Sequence, residues 1–66
     1  MDYIEAFKKM RLEMKLSQVQ LSEQLGLKSA AYGMYETRQR KMDVETFAKL
    51  CRILGTTPNE MLGFDE

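Results

Sequence analysis

The sequence contains no histidine and only one cysteine, Cys51. The missing histidine removes the commonest general base and the commonest metal ligand. A lone cysteine cannot close an internal disulfide, so a stapled secreted scaffold is excluded. A metal site or a Cys-His nucleophile is all but excluded with it, and Cys51 is expected as a small core residue on a helix. Long hydrophobic runs are missing too. Nothing approaches the roughly 20 apolar residues that span a bilayer, and the N-terminus lacks the basic-then-apolar order of a secretory signal. The expectation is therefore a cytoplasmic protein that meets no membrane. Strand signals are absent, since Val, Ile and Thr are scattered and no alternating run persists. An enzyme would need a nucleophile and a base side by side. The chain offers serines, Cys51 and helical carboxylates without a histidine, so no catalytic residue, cofactor or small-molecule ligand is expected.

What remains is an all-α pattern in one domain, residues 1–66. A chain of 66 residues buries only about 60% of the surface its unfolded form exposes, so its stability is marginal. Charged residues at 30% and hydrophobic residues at 44% suit a folded soluble protein. Formal net charge is zero, which argues against a polyanionic partner, but the distribution argues for one. Lys28, Arg38, Arg40 and Lys41 face only Glu36 within residues 28–41, a balance of +3. Lys49 and Arg52 face Asp43, Glu45, Glu60, Asp65 and Glu66 within residues 42–66, a balance of −3. Local field, rather than net charge, decides where a polyanion binds.

Five helices are expected. The first runs from about Tyr3 to Met14, capped by Asp2 with Glu5 three residues on. Tyr3, Ile4, Phe7, Met10 and Met14 share its inner face. Arg11 falls on that face as well, and a charge inside an apolar stripe needs a partner. The second helix starts after Ser17, with Gln20 completing a capping box. Leu21 and Leu25 form its inner stripe beside the small Ser22, and Gly26 stops it. The third runs from Lys28 or Ser29 to Thr37, with Tyr32, Tyr35 and Glu36 on one face and Ala30, Gly33, Met34 and Thr37 on the other. A basic stretch, Arg38 to Met42, leads to Asp43 as the cap of the fourth helix, whose inner face is Val44, Phe47, Leu50, Cys51 and Leu54, and Gly55 ends it. Thr57-Pro58-Asn59-Glu60 starts the fifth helix, Pro58 to Leu62, with Met61 and Leu62 closing the core. Residues 63–66 read as a tail that frays from about Phe64. The second and third helices, about residues 17–37, form a helix-turn-helix, a pair whose second member can lie in the major groove of DNA.

From Phe7 to Gly63 the chain resembles the Cro/repressor-type, XRE-like or lambda-repressor-like, helix-turn-helix domains. Met10-Arg11 through Leu16-Ser17-Gln18, then Leu21, Leu25-Gly26-Leu27, Tyr32 and Tyr35-Glu36 follow that pattern in order. Asp43 to Phe47, Leu50 to Gly55 and Met61-Leu62-Gly63 complete it. The resemblance implies a compact five-helix domain and a sequence-specific transcriptional regulator, most simply a repressor. Such regulators bind double-stranded DNA as homodimers on near-palindromic operators.

Several residue roles follow. Periodicity puts Arg11 and Glu36 on inner faces, and the resemblance implies a salt bridge between them. Gln18, at the start of the second helix, is expected at a phosphate. Lys28, Arg38, Arg40 and Lys41 are candidate phosphate clamps, with Ser17 and Thr37 counted beside them. Ser29, Ala30, Gly33 and Met34 are expected at base edges. That face carries none of the Arg, Lys, Gln or Asn side chains that usually read bases, so it reads by apolar contact and DNA shape, binds DNA weakly, or meets protein instead. The protein-partner option is an interaction module on the same scaffold, such as an antirepressor or an antitoxin-like partner. Arg38 stands where the family often has Gly. A left-handed turn there would strain it, so a different local turn or a slightly longer third helix is expected. Lys28 is a poor cap, which leaves Ser29 to cap the third helix. The last helix and Phe64 are the expected dimer contact.

Overall fold

Local capping chemistry sets most helix boundaries. The computed structural model describes residues 2–63 and contains α1 (Tyr3–Glu13), α2 (Gln18–Gln24), α3 (Gly33–Glu36), α4 (Val44–Leu54) and α5 (Pro58–Leu62). There is no strand among the described residues. Ser17 and Gln20 cap α2 reciprocally, and Thr57 and Glu60 do the same for α5. Each box satisfies two backbone N–H groups that the first helical turn leaves over. Asp2 accepts from the Glu5 backbone N–H at 3.3 Å to start α1. Asp43 has the extended backbone of a cap, but its carboxylate takes the Thr46 hydroxyl at 2.5 Å rather than a backbone N–H.

The helix ends share one device. Past α2, Gly26 turns left-handed (φ +76°), its N–H reaches the Glu23 carbonyl, and the Leu27 N–H reaches that of Ser22. This is a Schellman closure. The same pair of bonds closes α1, where Lys15 (φ +59°) donates to Leu12 and Leu16 donates to Arg11. It also closes α3, where Arg38 (φ +64°) donates to Tyr35 and Gln39 donates to Met34. The different turn expected at Arg38 does not occur. The two carbonyl closures outweigh the strain of a left-handed arginine, on the order of 1–2 kcal/mol.

The third helix is shorter than expected. Residues 28–32 form tight turns with bonds between residues three apart, such as Ala31 N–H to Lys28 C=O at 3.0 Å, and α-helix begins only at Gly33. The cause is tertiary. The Tyr32 N–H, which a continuous helix would give to a carbonyl four residues back, donates instead to the buried Ser22 hydroxyl at 2.8 Å. Ser29 is left-handed (φ +51°) and makes no cap, and α3 has no side-chain cap at all.

The core is Phe7, Leu21, Leu25, Tyr32, Tyr35, Leu50, Cys51, Leu54 and Met61. Tyr3, Phe7 and Phe47 meet edge to face, with ring centroids 5.1–6.3 Å apart. Three residues expected inside are not. Met14 is 48%, Val44 83% and Leu62 40% exposed. Met14 and Leu62 lie where a helix ends, and Val44 opens α4, so at each point the apolar stripe runs past its packing partner. Phe64 and the tail lie outside the described residues. Because Phe7 is completely buried at the centre of the aromatic group, Phe7→Ala is expected to cost about 3–5 kcal/mol. That is comparable with the roughly 3–10 kcal/mol a domain this size possesses. Urea denaturation followed by far-ultraviolet circular dichroism should show the midpoint moved far toward zero urea, with the variant partly unfolded without denaturant if wild type lies at the low end of that range.

Candidate nucleic-acid interface

The helix-turn-helix is assembled around one guanidinium. Arg11 Nε donates to Glu36 Oε2 at 2.8 Å, Nη2 donates to Glu36 Oε1 at 3.1 Å, and Nη1 donates to the Leu16 carbonyl at 2.7 Å. The Arg11 and Glu36 side chains are only 9% and 4% exposed. Gln18 Nε2 donates to the same Glu36 Oε1 at 2.8 Å. One ion pair therefore joins α1, the α1–α2 link, the first turn of α2 and the end of α3. No buried side-chain polar atom among the described residues lacks a partner. Burial alone would push the Glu36 carboxyl up, but hydrogen bonds from Arg11, Gln18 and Tyr32 outweigh it and hold the group below the ordinary carboxylate range. Burial, and then the Glu36 charge, push the Tyr32 hydroxyl up, so it stays protonated beside the pair.

A second clasp lies one helical turn along. The Ser22 hydroxyl donates to the Gln18 carbonyl at 2.7 Å while accepting the Tyr32 N–H. The sequence presents Ser22 only as a small residue beside leucines. Its sole signal was a hydroxyl on an apolar stripe, which has to find partners when buried.

The outer surface divides differently from the expectation. Ser29, Ala30 and Met34 are exposed, Met34 at 40%. Gly33 is buried beneath the Gln18 side chain, so it does not present itself to a base edge. Gln18 is half-buried and turned toward Glu36. The Ser17 hydroxyl is engaged as the α2 cap, and the exposed Thr37 donates back to the Gly33 carbonyl at 3.2 Å.

The cations gather beyond α3. Arg38, Arg40 and Lys41 line a surface cleft of about 460 Å³ whose floor includes Tyr3 and Tyr35. The Arg40 guanidinium lies 5.9 Å from the Tyr35 ring centre, within cation–π range. Arg38 Nη2 pairs with Asp2 Oδ2 at 2.6 Å, which ties the basic loop to the start of α1. Lys28 is exposed on the turn that precedes the Ser29–Met34 surface.

In this geometry two side-chain hydrogen bonds, Gln18 to Glu36 and Tyr32 N–H to Ser22, join the two short helices, with a small exposed surface on the second and a basic cleft after it. A family model described as helix-turn-helix matches residues 7–61. The chain belongs to the XRE/lambda-repressor-like helix-turn-helix family. No significant match was found among curated proteins or among solved structures. Membership in this helix-turn-helix family supports a DNA-binding regulator, and it agrees with the all-helical, five-helix fold. None of the described helices is long and apolar enough to cross a membrane.

The Arg11–Glu36 pair sets a measurable pH dependence. Glu36 is more acidic folded than unfolded. Its stabilisation is therefore complete above the unfolded value of 4.5 and is lost as pH falls through the lower folded value. Glu36→Gln strands the Arg11 charge and should cost about 3 kcal/mol at neutral pH. The cost should shrink on acidification below about pH 4.5, where wild type loses the same carboxylate. Urea midpoints of the two proteins across that range test this. An unchanged gap at low pH would remove the ion pair from the account.

Proposed function

We propose that the protein is a sequence-specific transcriptional repressor that binds a near-palindromic operator as a homodimer. The observation that carries this reading is the exposed Ser29–Ala30–Met34 surface on the second element of the helix-turn-helix, flanked by Lys28 and the Arg38–Arg40–Lys41 cleft. In this reading Ser29 supplies a hydrogen bond to a base edge, and Ala30 and Met34 lie against thymine methyl groups in the major groove. Ser17, Lys28, Thr37, Arg38, Arg40 and Lys41 hold phosphates on either side, which fixes register without reading sequence. With so few polar groups on the reading surface, DNA shape and deformability supply part of the selectivity. Arg38 exchanges Asp2 for a phosphate as the complex forms. Repression needs no further contact, because occupied DNA excludes other proteins.

A two-fold dimer sets its two reading surfaces about one DNA turn, roughly 34 Å, apart. The second copy packs on the α5 side. There Val44, Leu62, Pro58, Phe47 and Tyr3 border an apolar groove of about 310 Å³. Val44→Glu should then shift the protein to monomer in sedimentation velocity while the fold stays intact.

Selection of bound sequences from a random duplex pool at two salt concentrations tests the function. The expected result is an enriched palindromic motif, with affinity falling steeply as salt rises. Reversing both Arg38 and Arg40 to Glu should lower the slope of log affinity against log salt by about 2 and weaken binding at least tenfold. No enrichment at low salt, or binding indifferent to the charge reversal, would move the reading surface to a protein partner.

A further inference from the structure

Three of the four glycines stand left-handed just past helix ends: Gly26, Gly55 and Gly63, with φ of +75° to +78°. Gly33 does not. It is the first residue of α3 and has no positive φ, so its backbone asks for nothing that other residues cannot adopt. Conformational freedom cannot be its purpose, so the space it leaves must be. A Cβ on Gly33 would sit 2.5 Å from Gln18 Oε1 and 3.0 Å from Gln18 Cδ. The Gln18 amide occupies the volume that a side chain at position 33 would fill. That amide is not free to swing away, because its Nε2 donates to Glu36 at 2.8 Å. A residue larger than glycine requires the Gln18 amide to move, and its bond to Glu36 opposes that movement.

We infer that Gly33 is a positioning residue for DNA selectivity, acting through Gln18 and touching no DNA itself. The inference rests on the DNA-binding reading above. The amide seated on Gly33 fixes the start of α2 against the α3 backbone, and the Ser22–Tyr32 bond fixes the next turn. Together they set the height at which Ser29, Ala30 and Met34 stand out from the domain. A surface made of one hydroxyl and short or apolar side chains depends on that height more than a surface of long arginines or glutamines would. Dispersion contacts fade within a fraction of an ångström, and no flexible polar arm is present to reach across a gap.

The test uses four proteins: wild type, Gly33→Ala, Gln18→Ala and the double variant. The readout is the ratio of affinity for the selected duplex to affinity for a scrambled duplex of equal length at fixed salt. Loss of folded protein lowers both affinities together and leaves the ratio unchanged, and urea midpoints of all four proteins check it independently. Gly33→Ala is expected to lower the ratio about tenfold, with affinity for the scrambled duplex altered less than about twofold. Gln18→Ala, which creates no clash, should lower the ratio in the same direction. Adding Gly33→Ala to Gln18→Ala should change it less than about twofold, because the colliding amide is gone. An unchanged ratio in Gly33→Ala, or an equal loss from Gly33→Ala in both backgrounds, overturns the inference. A wild-type protein that prefers no sequence overturns the DNA-binding reading and the inference together, which is a different result from a selective wild type with unaffected variants.

Discussion

The Arg11 guanidinium is the one group that ties the first helix to both members of the helix-turn-helix. Its donors reach the Glu36 carboxylate and the Leu16 carbonyl, and Glu36 in turn holds the Gln18 amide. A buried ion pair of this kind contributes little net stability over a well-packed apolar substitute, because desolvation offsets most of the attraction. Its effect is on uniqueness. A packing that separates α1 from the end of α3 while keeping either group buried leaves a charge without a partner, at a cost of several kcal/mol. A small domain with a modest core excludes misregistered packings by such a penalty, since the gain from burying apolar surface is similar in several arrangements.

The features legible in the sequence are those fixed by neighbours within four residues. Capping boxes at Ser17–Gln20 and Thr57–Glu60, the stops at Gly26 and Gly55, and the stripes through Phe7, Leu21, Leu25, Leu50 and Leu54 all belong to this class. Arg11 and Glu36 were legible as charges on inner faces, with the family resemblance supplying the pairing. The features that escaped depend on distant partners. Ser22 captures Tyr32 across ten residues and shortens α3. Gln18 covers Gly33 and takes it off the outer surface. Val44 and Leu62 carry the right period, yet periodicity does not say where the facing surface ends. Lys15 and Arg38 escaped for another reason: a Schellman closure accepts any side chain whose strain the two hydrogen bonds exceed, and glycine only makes it easier.

The basic loop is more ordered than a run of cations suggests. Backbone N–H groups of Arg38, Gln39 and Arg40 all reach carbonyls at the end of α3. Asp2 and the Tyr35 ring hold the Arg38 and Arg40 side chains from either side. Charge presented from a fixed loop loses less side-chain entropy on meeting a phosphate than charge on a mobile one. The pairing with Asp2 acts in the opposite direction, since an anion that approaches Arg38 competes with that carboxylate.

The four-residue length of α3 has a consequence for how such a protein is governed. A helix of one turn cannot nucleate by itself in water, so the surface it carries has no existence apart from the folded domain. Nothing partially folded can retain it, as an independently stable recognition helix might be retained. Binding and folding are then directly linked: a partner stabilises the domain by mass action, and heat or proteolysis that unfolds the domain abolishes the surface as well.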